Sequence, residues 1–226
     1  MVKLRSFQGC LANQAHVPKI LSHAYDVVNT QEAAEECKDN EMSFYHVCKP
    51  EINLPHDLDP YDDQVYAKGL ENLNAFCEKG FLVEDDVERM YIYQQTLGTH
   101  TQQGILGLAS IDDYENNLIK KHELTLPKKE ADRTRLVDTH NANAEPVFLA
   151  FTHNQEVIKA RIHDIITNNA PYGDVTCDDG VRHVLWKCSV DDSAFFQAEF
   201  EKIPYTYVAD GHHRTAAAFN VGKARK

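Results

Sequence analysis

Apolar positions recur along this chain at two spacings, one suited to strands and one to helices. Short β-branched and aromatic runs predict strands at residues 2–7, 44–48, 90–96, 104–110, 147–151, 182–188 and 205–209. Between them, helical spacing predicts helices at 31–38, 63–79, 112–119, 128–141, 155–168 and 191–202, and from 211 onward. The clearest is 63–79, where Val65, Leu70, Leu73, Phe76 and Cys77 fall mostly on one face and Gly80 supplies a stop. Thr30 stands where an N-cap would stand, with Glu32 in the first turn, and Pro127 suits the first turn of the helix that follows it. Strands and helices alternating with short connections predict a mixed α/β (α+β) class. Residues 54–63, rich in Pro and Asp, form a polar loop, and the acidic 84–88 stretch is expected to be a solvated hairpin connection.

Composition narrows the class further. The 226 residues, 42% of them hydrophobic, suffice for one large core or two small ones. The net charge of −12 argues against a surface that wraps nucleic acid, so an anion site has to be a local basic pocket on an acidic body. No run approaches a membrane span, and the first residues lack the apolar core of a signal peptide. Six scattered cysteines (Cys10, Cys37, Cys48, Cys77, Cys177 and Cys188) form no C-x-x-C pair and no zinc-like spacing with histidine. These features predict a reduced, soluble, cytoplasmic protein. Its oligomeric state is open.

The chemistry concentrates near residue 210. The apolar run Tyr205, Tyr207, Val208 stops at Asp210-Gly211, and His212-His213-Arg214 then opens an Ala-rich segment. This is a strand, a tight turn and a helix start. Unpaired N–H groups and the helix dipole favour an anion there. Two imidazoles and a guanidinium in the first turn make the place far more cationic than a cap needs. A phosphate or pyrophosphate is the natural guest. Asp-Gly before a helix is also a common turn, and a lone His there usually packs; the full Asp-Gly-His-His-Arg string is what favours function.

A second charged cluster spans Lys121-His122-Glu123, Asp132-Arg133-Thr134-Arg135 and His140-Asn141-Ala142-Asn143. Arg133 and His140 are seven residues apart and lie on nearly the same helix face. Taken alone, the run reads equally as a salt-bridged surface helix. Phosphoryl transfer, however, needs cations or Mg²⁺ around the phosphate and a carboxylate to receive the nucleophile's proton. The two clusters offer both. Asp26, in Tyr25-Asp26-Val27-Val28, offers a further substrate or metal contact or is simply a turn aspartate. Arg182 and His183 face either a pocket or the surface. Neither a P-loop nor a G-x-G-x-x-G loop is present, and no serine nucleophile elbow occurs.

The strand–Asp210-Gly211-His212-His213-Arg214–helix string resembles the phosphate-binding motif of the ParB/sulfiredoxin-like superfamily, and especially its free-serine kinases. Together with Tyr25-Asp26-Val27-Val28, the stretch 119–125, Asp132–Arg135, Asn141-Ala142-Asn143, Pro146–Leu149 and Asp179–His183, it is similar to one branch across essentially the whole chain. That branch, long catalogued as a domain of unknown function, is associated with pyrophosphate-dependent serine kinases. The resemblance implies a ParB/sulfiredoxin-like mixed sheet flanked by helices at 101–226, with an N-terminal α/β portion at 1–100 on the substrate side, unless the two form one continuous domain. It implies transfer of a phosphoryl group from pyrophosphate to free L-serine, giving O-phosphoserine, with Mg²⁺. Gly211, His212, His213 and Arg214 would then hold donor phosphates, and Glu123 would be the general base. Asp210 would orient His213 or hold the metal. Lys121, His122 and Arg133 would neutralise phosphate or the serine carboxylate, and Asp26, Arg135 and Asn143 would lie on the substrate side. Some proteins of this branch are considerably longer, so the resemblance leaves a short form and a truncated chain both open.

ADP or ATP is the alternative donor, because related kinases use nucleotides with the same motif. A non-catalytic ParB-like phosphate- or nucleotide-binding module is the alternative of another class. It lacks support from an Arg-rich box or a helix-turn-helix segment, and neither is found. Sulfiredoxin-type chemistry needs a cysteine immediately before the His-Arg pair, where this chain has His212.

Overall fold

In a computed structural model of the chain, residues 1–153 and 155–226 are described. The strands in chain order are β1 (Leu4–Arg5), β2 (Cys10–Ala12), β3 (Leu82–Glu84), β4 (Tyr91–Leu97), β5 (His100–Leu106) and β6 (Leu108–Ala109). They continue with β7 (Ile119–Lys120), β8 (Phe148–Ala150), β9 (Gly173–Thr176), β10 (Arg182–Lys187) and β11 (Thr206–Asp210). The helices are α1 (Val17–Ile20), α2 (Thr30–Cys37), α3 (Tyr45–Cys48), α4 (Asp63–Glu78), α5 (Ile111–Glu115), α6 (Pro127–His140), α7 (Gln155–Asn168), α8 (Val190–Phe200) and α9 (His212–Ala224), with a 3-10 turn at Pro50–Asn53. The class is mixed α/β. Among the described residues no helix is long and apolar enough to cross a membrane.

The chain divides into two compact units, each assembled from three stretches. The first comprises Met1–Gln14, Glu84–His122 and Phe148–Asp210, the second Ala15–Val83, Glu123–Val147 and Gly211–Lys226. A cut between residues 100 and 101 would fall inside β5, within the first unit.

In the first unit, an antiparallel sheet runs in the order β5-β4-β10-β9. Its register sets Ile92 opposite Trp186, and the period of two sends Val184 to the same inner face. There they meet Ile158, Ile162 and Ile165 of α7 and Phe196 and Phe200 of α8, a single buried cluster. Burial of such side chains contributes roughly 1.5–3 kcal/mol each. A smaller sheet, β7-β11-β8, pairs β11 parallel to β7 and antiparallel to β8, and the β8 pairing shifts register between Val208 and Asp210.

The same unit holds a buried charge. Asp85 was expected in a solvated turn, yet its side chain is fully buried, 3.1 Å from both Arg89 Nε and Lys187 Nζ. Tyr91 donates its hydroxyl to the carboxylate at 2.9 Å, and Gly9 N–H donates to that hydroxyl's oxygen at 3.0 Å. Lys187 and Gly9 are distant in sequence, which is why the acidic run read as surface.

The second unit is helical. Residues 44–48, expected as a strand, form α3 instead, with Tyr45, Val47 and Cys48 all buried. A run this short carries no period that separates helix from strand. Asn29, not Thr30, caps α2: its side chain accepts from Gln31 and Glu32 N–H, and Glu32 returns the contact in a capping box. α6 packs against both α4 and α9. Gly69 of α4 permits the first approach, because a Cβ there would lie 2.4 Å from His140 Nε2. Buried Ala216 and Ala217 on α9 favour the second. Asn220 of α9 donates to Glu130 of α6 at 2.8 Å, and Arg225 pairs with Asp138 at 2.6 Å.

The Asp85 knot sets an acid limit. Burial alone would raise its pKa, but the Lys187 ammonium and the Tyr91 hydroxyl outweigh it and bring the group down to about 2. A depressed carboxylate contributes stability above its unfolded value, near about 3.9, and loses it as pH falls through the folded value. Urea unfolding of Asp85→Asn should show a loss of about 3 kcal/mol at pH 7. The gap to the wild type should narrow between about pH 4 and pH 2. A pH-independent gap would mean that the charge of Asp85 is not what stabilises the knot.

Candidate functional site

The strand–turn–helix at residue 210 forms as the sequence reads. β11 ends at Asp210, Gly211 takes φ +88°, and α9 starts at His212. Only glycine adopts that left-handed value without strain. The absent Cβ also makes room for Arg214, whose guanidinium carbon would lie 3.3 Å from it. Arg214 thus folds back over its own turn, and its Nη1 donates to the Pro146 carbonyl at 2.7 Å.

His212 is buried, and its Nδ1 lies 3.6 Å from a carboxylate oxygen of Glu123. Glu123 itself keeps 63% of its side chain exposed. His213 points another way. Its Nε2 accepts the Leu126 N–H at 3.0 Å, which leaves Nδ1 to carry a ring proton. A helix start, two imidazoles, a guanidinium and a carboxylate therefore share one end of the second unit.

Arg133 is the next element. Its Nε and Nη2 bind Asp132 at 2.8 and 2.7 Å, and Asp132 also accepts the Tyr66 hydroxyl at 2.8 Å. The guanidinium lies over the Tyr25 ring, 4.1 Å from its centroid. Its Nη1 is buried and has no hydrogen-bond partner among the described residues. Tyr25 N–H donates at 2.9 Å to Glu145, half-buried in the loop after α6. Burial raises the Glu145 pKa, against the pull of Arg133 and Arg214. Burial likewise raises Tyr25, and Arg133 opposes it. Tyr25, Arg133, Glu145 and Arg214 therefore share one electrostatic neighbourhood.

The remaining candidates divide. Asp26 sits exposed in the turn beside Tyr25, and Asn143 is exposed in the loop after α6. Arg135 leaves this group for α4, pairing with Asp63 and stacking over Tyr66 at 4.2 Å. Lys121, His122 and Asp210 belong to the first unit; Lys121 lies over the Tyr114 ring at 4.1 Å. Elsewhere in that unit, Arg182 pairs with Asp174 at 2.5 Å, and His183 stacks on Tyr93. Sequence reasoning missed Glu145, a lone carboxylate in a loop. Its one signal was proximity to Pro146, within a segment already singled out. An open cavity of about 330 Å³ in the second unit, lined by His46, Asn53, Lys68, Asn72 and Phe76 among others, shares no residue with the cluster.

Over residues 4–226 the chain matches the family described as "Protein of unknown function (DUF1015)". It belongs to that family. No curated protein and no solved structure matches it.

His140 supplies a pH test of the scaffold behind Arg133. Burial, reinforced by repulsion from Arg133, lowers its pKa to about 4, so the ring is neutral at pH 7. Between the folded value and an unfolded value near about 6.5, the unfolded chain binds more protons, and stability falls as pH falls. Unfolding free energy should drop by on the order of 2 kcal/mol from pH 7 to pH 4 through this group. His140→Gln should flatten that slope in denaturant titrations, and an unchanged slope would assign it to other groups.

Proposed function

We propose that this DUF1015 protein is a phosphotransferase that moves a phosphoryl group from pyrophosphate to the hydroxyl of free L-serine. The observation that carries this reading is the helix start at Gly211. Backbone N–H groups, His212, His213 and Arg214 gather there, with the exposed Glu123 carboxylate 3.6 Å from His212. An anion held at such a helix start is offset by the dipole and by formal charge together. A carboxylate beside it is placed to receive a proton from an attacking hydroxyl.

In this mechanism Glu123 takes the serine Oγ proton as the Oγ–P bond forms. The P–O bond to the leaving phosphate breaks, and that phosphate departs with the bonding electron pair. Arg214 and His212 offset charge on the transferring and leaving oxygens, where preorganised donors count most, while His213 contributes through its Nδ1–H alone. Arg214 stands in the first turn of α9, and a guanidinium is a strong partner for phosphate oxygens. Arg133 would face the acceptor's carboxylate. Mg²⁺ is expected to travel with the donor, since such ions take most of their ligands from phosphates and water and few from protein carboxylates. Exposed Glu123 is the second unit's candidate to supply one.

Pyrophosphate is favoured over ADP or ATP because the chain has no nucleotide-type phosphate loop. The free-serine kinase assignment itself rests on the resemblance of the motif and on this constellation. Cytoplasmic location fits a pool of free serine and free thiols.

Phosphorus NMR of the protein with Mg²⁺ and L-serine, offered pyrophosphate, ADP and ATP in turn, should show phosphoserine with pyrophosphate. Phosphoserine from none of them would defeat the kinase reading. Glu123→Gln should lower kcat by about 10²–10⁴-fold with pyrophosphate affinity nearly unchanged; wild-type turnover would remove Glu123 from catalysis. Arg214→Ala should raise the KM for pyrophosphate about tenfold or more. An unaltered KM would sink its role.

A further inference from the structure

The geometry points to Glu145 as the residue that selects an α-amino acid acceptor, by receiving its ammonium group while Arg133 receives its carboxylate. This rests on the kinase reading and adds to it a specificity-determining residue that neither the motif nor the charge run contains.

The positions of the partners carry the inference. Tyr25 N–H holds one Glu145 oxygen at 2.9 Å, which fixes the carboxylate against the turn that presents Asp26. The nearby arginines each hold another partner. Arg133 spends two nitrogens on Asp132, and Arg214 spends Nη1 on the Pro146 carbonyl. The ion pair in this cluster is thus Arg133–Asp132, and the pull of Arg133 and Arg214 on the Glu145 charge does not outweigh its burial. Burial disfavours that charge. A small cation arriving beside Glu145 restores the balance.

The second half is the buried Arg133 Nη1, which hydrogen-bonds to nothing among the described residues. Buried donors are nearly always paired, so an orphan on a guanidinium marks a place for an acceptor. A carboxylate is the acceptor that suits it best. One ligand class offers an ammonium and a carboxylate on adjacent atoms: a small α-amino acid. The Tyr25 ring, stacked under Arg133, would form the wall between the two contacts. A hydroxy acid of the same length presents only the carboxylate half. It would leave Glu145 without its cation.

The test compares L-serine with L-glycerate, which keeps the primary hydroxyl, the carboxylate and the configuration at Cα but replaces the ammonium by hydroxyl. Titration calorimetry and steady-state kinetics are run on the wild type, Glu145→Gln and Glu145→Asp. Gln preserves the acceptor for Tyr25 N–H and removes only the charge. Glu145→Gln should weaken L-serine binding and raise its KM by about 30-fold, the loss expected for a hydrogen bond to a charged group. The KM for pyrophosphate should stay within about twofold, since the lost contact belongs to the acceptor. The preference for serine over glycerate should collapse in Gln and survive in Asp. A preference retained in Glu145→Gln with wild-type serine affinity would overturn the assignment of Glu145 and leave the kinase reading standing. A wild-type protein that neither binds nor phosphorylates L-serine would overturn both. Thermal melts separate these outcomes from misfolding. If the Gln variant fails to fold, Glu145→Asp decides: a retained serine preference supports the assignment, and its loss in a folded Asp variant overturns it.

Discussion

A guanidinium with 11% of its side chain exposed is the constraint around which the second unit is built. Taking Arg133 out of water is tolerable only because Asp132 meets it with two contacts and Tyr66 steadies Asp132 from α4. Removing one partner from such an arrangement typically costs about 3–5 kcal/mol, because the other charge is then stranded. The pair therefore fixes the rotation of α6 against α4. The same charge draws the Tyr25 ring under it and repels a proton from His140, one helical face away. It links fold and site through a single group.

Where local signals were strong, the fold was legible from sequence. α7 spans the residues its apolar period predicts, and α4 ends at Glu78 before its expected Gly stop. Departures occur where tertiary partners decide. Tyr45, Val47 and Cys48 of the 44–48 run are buried, and its N-terminus is tied to Ile20 by a Phe44 N–H bond of 3.0 Å, so helix won over a strand-like composition. Asp85 sits in an acidic turn by sequence and in a charged core by structure, through partners up to 102 positions away, as Lys187 is. Neither β7 nor β9 has a period to find, since one has two residues and the other alternates weakly.

The site shows the same division. The cationic helix start was written in five consecutive residues, and the left-handed Gly211 follows from them directly. Glu123 was legible because it stands beside Lys121 and His122. Glu145 was not, because its meaning lies in a contact 120 positions away, to a backbone N–H that no side-chain pattern encodes. Arg135 misled in the opposite sense. Its charge suggested substrate, yet Asp63 and Tyr66 occupy it.

The interleaving of the two units has a consequence for how the protein comes into being. The chain passes from one unit to the other five times, at 14/15, 83/84, 122/123, 147/148 and 210/211. No continuous fragment holds either unit alone. During synthesis, α4 and α6 emerge long before α9, the helix that packs on α6, so the second unit stays open until residues 211–226 leave the ribosome. Val2 N–H waits likewise for the Ile203 carbonyl, which it meets at 2.9 Å. Closing such long loops delays folding more than it weakens the final state. Alternation of this kind makes the protein a poor source of separable modules, because neither unit is complete until both of its ends have been made.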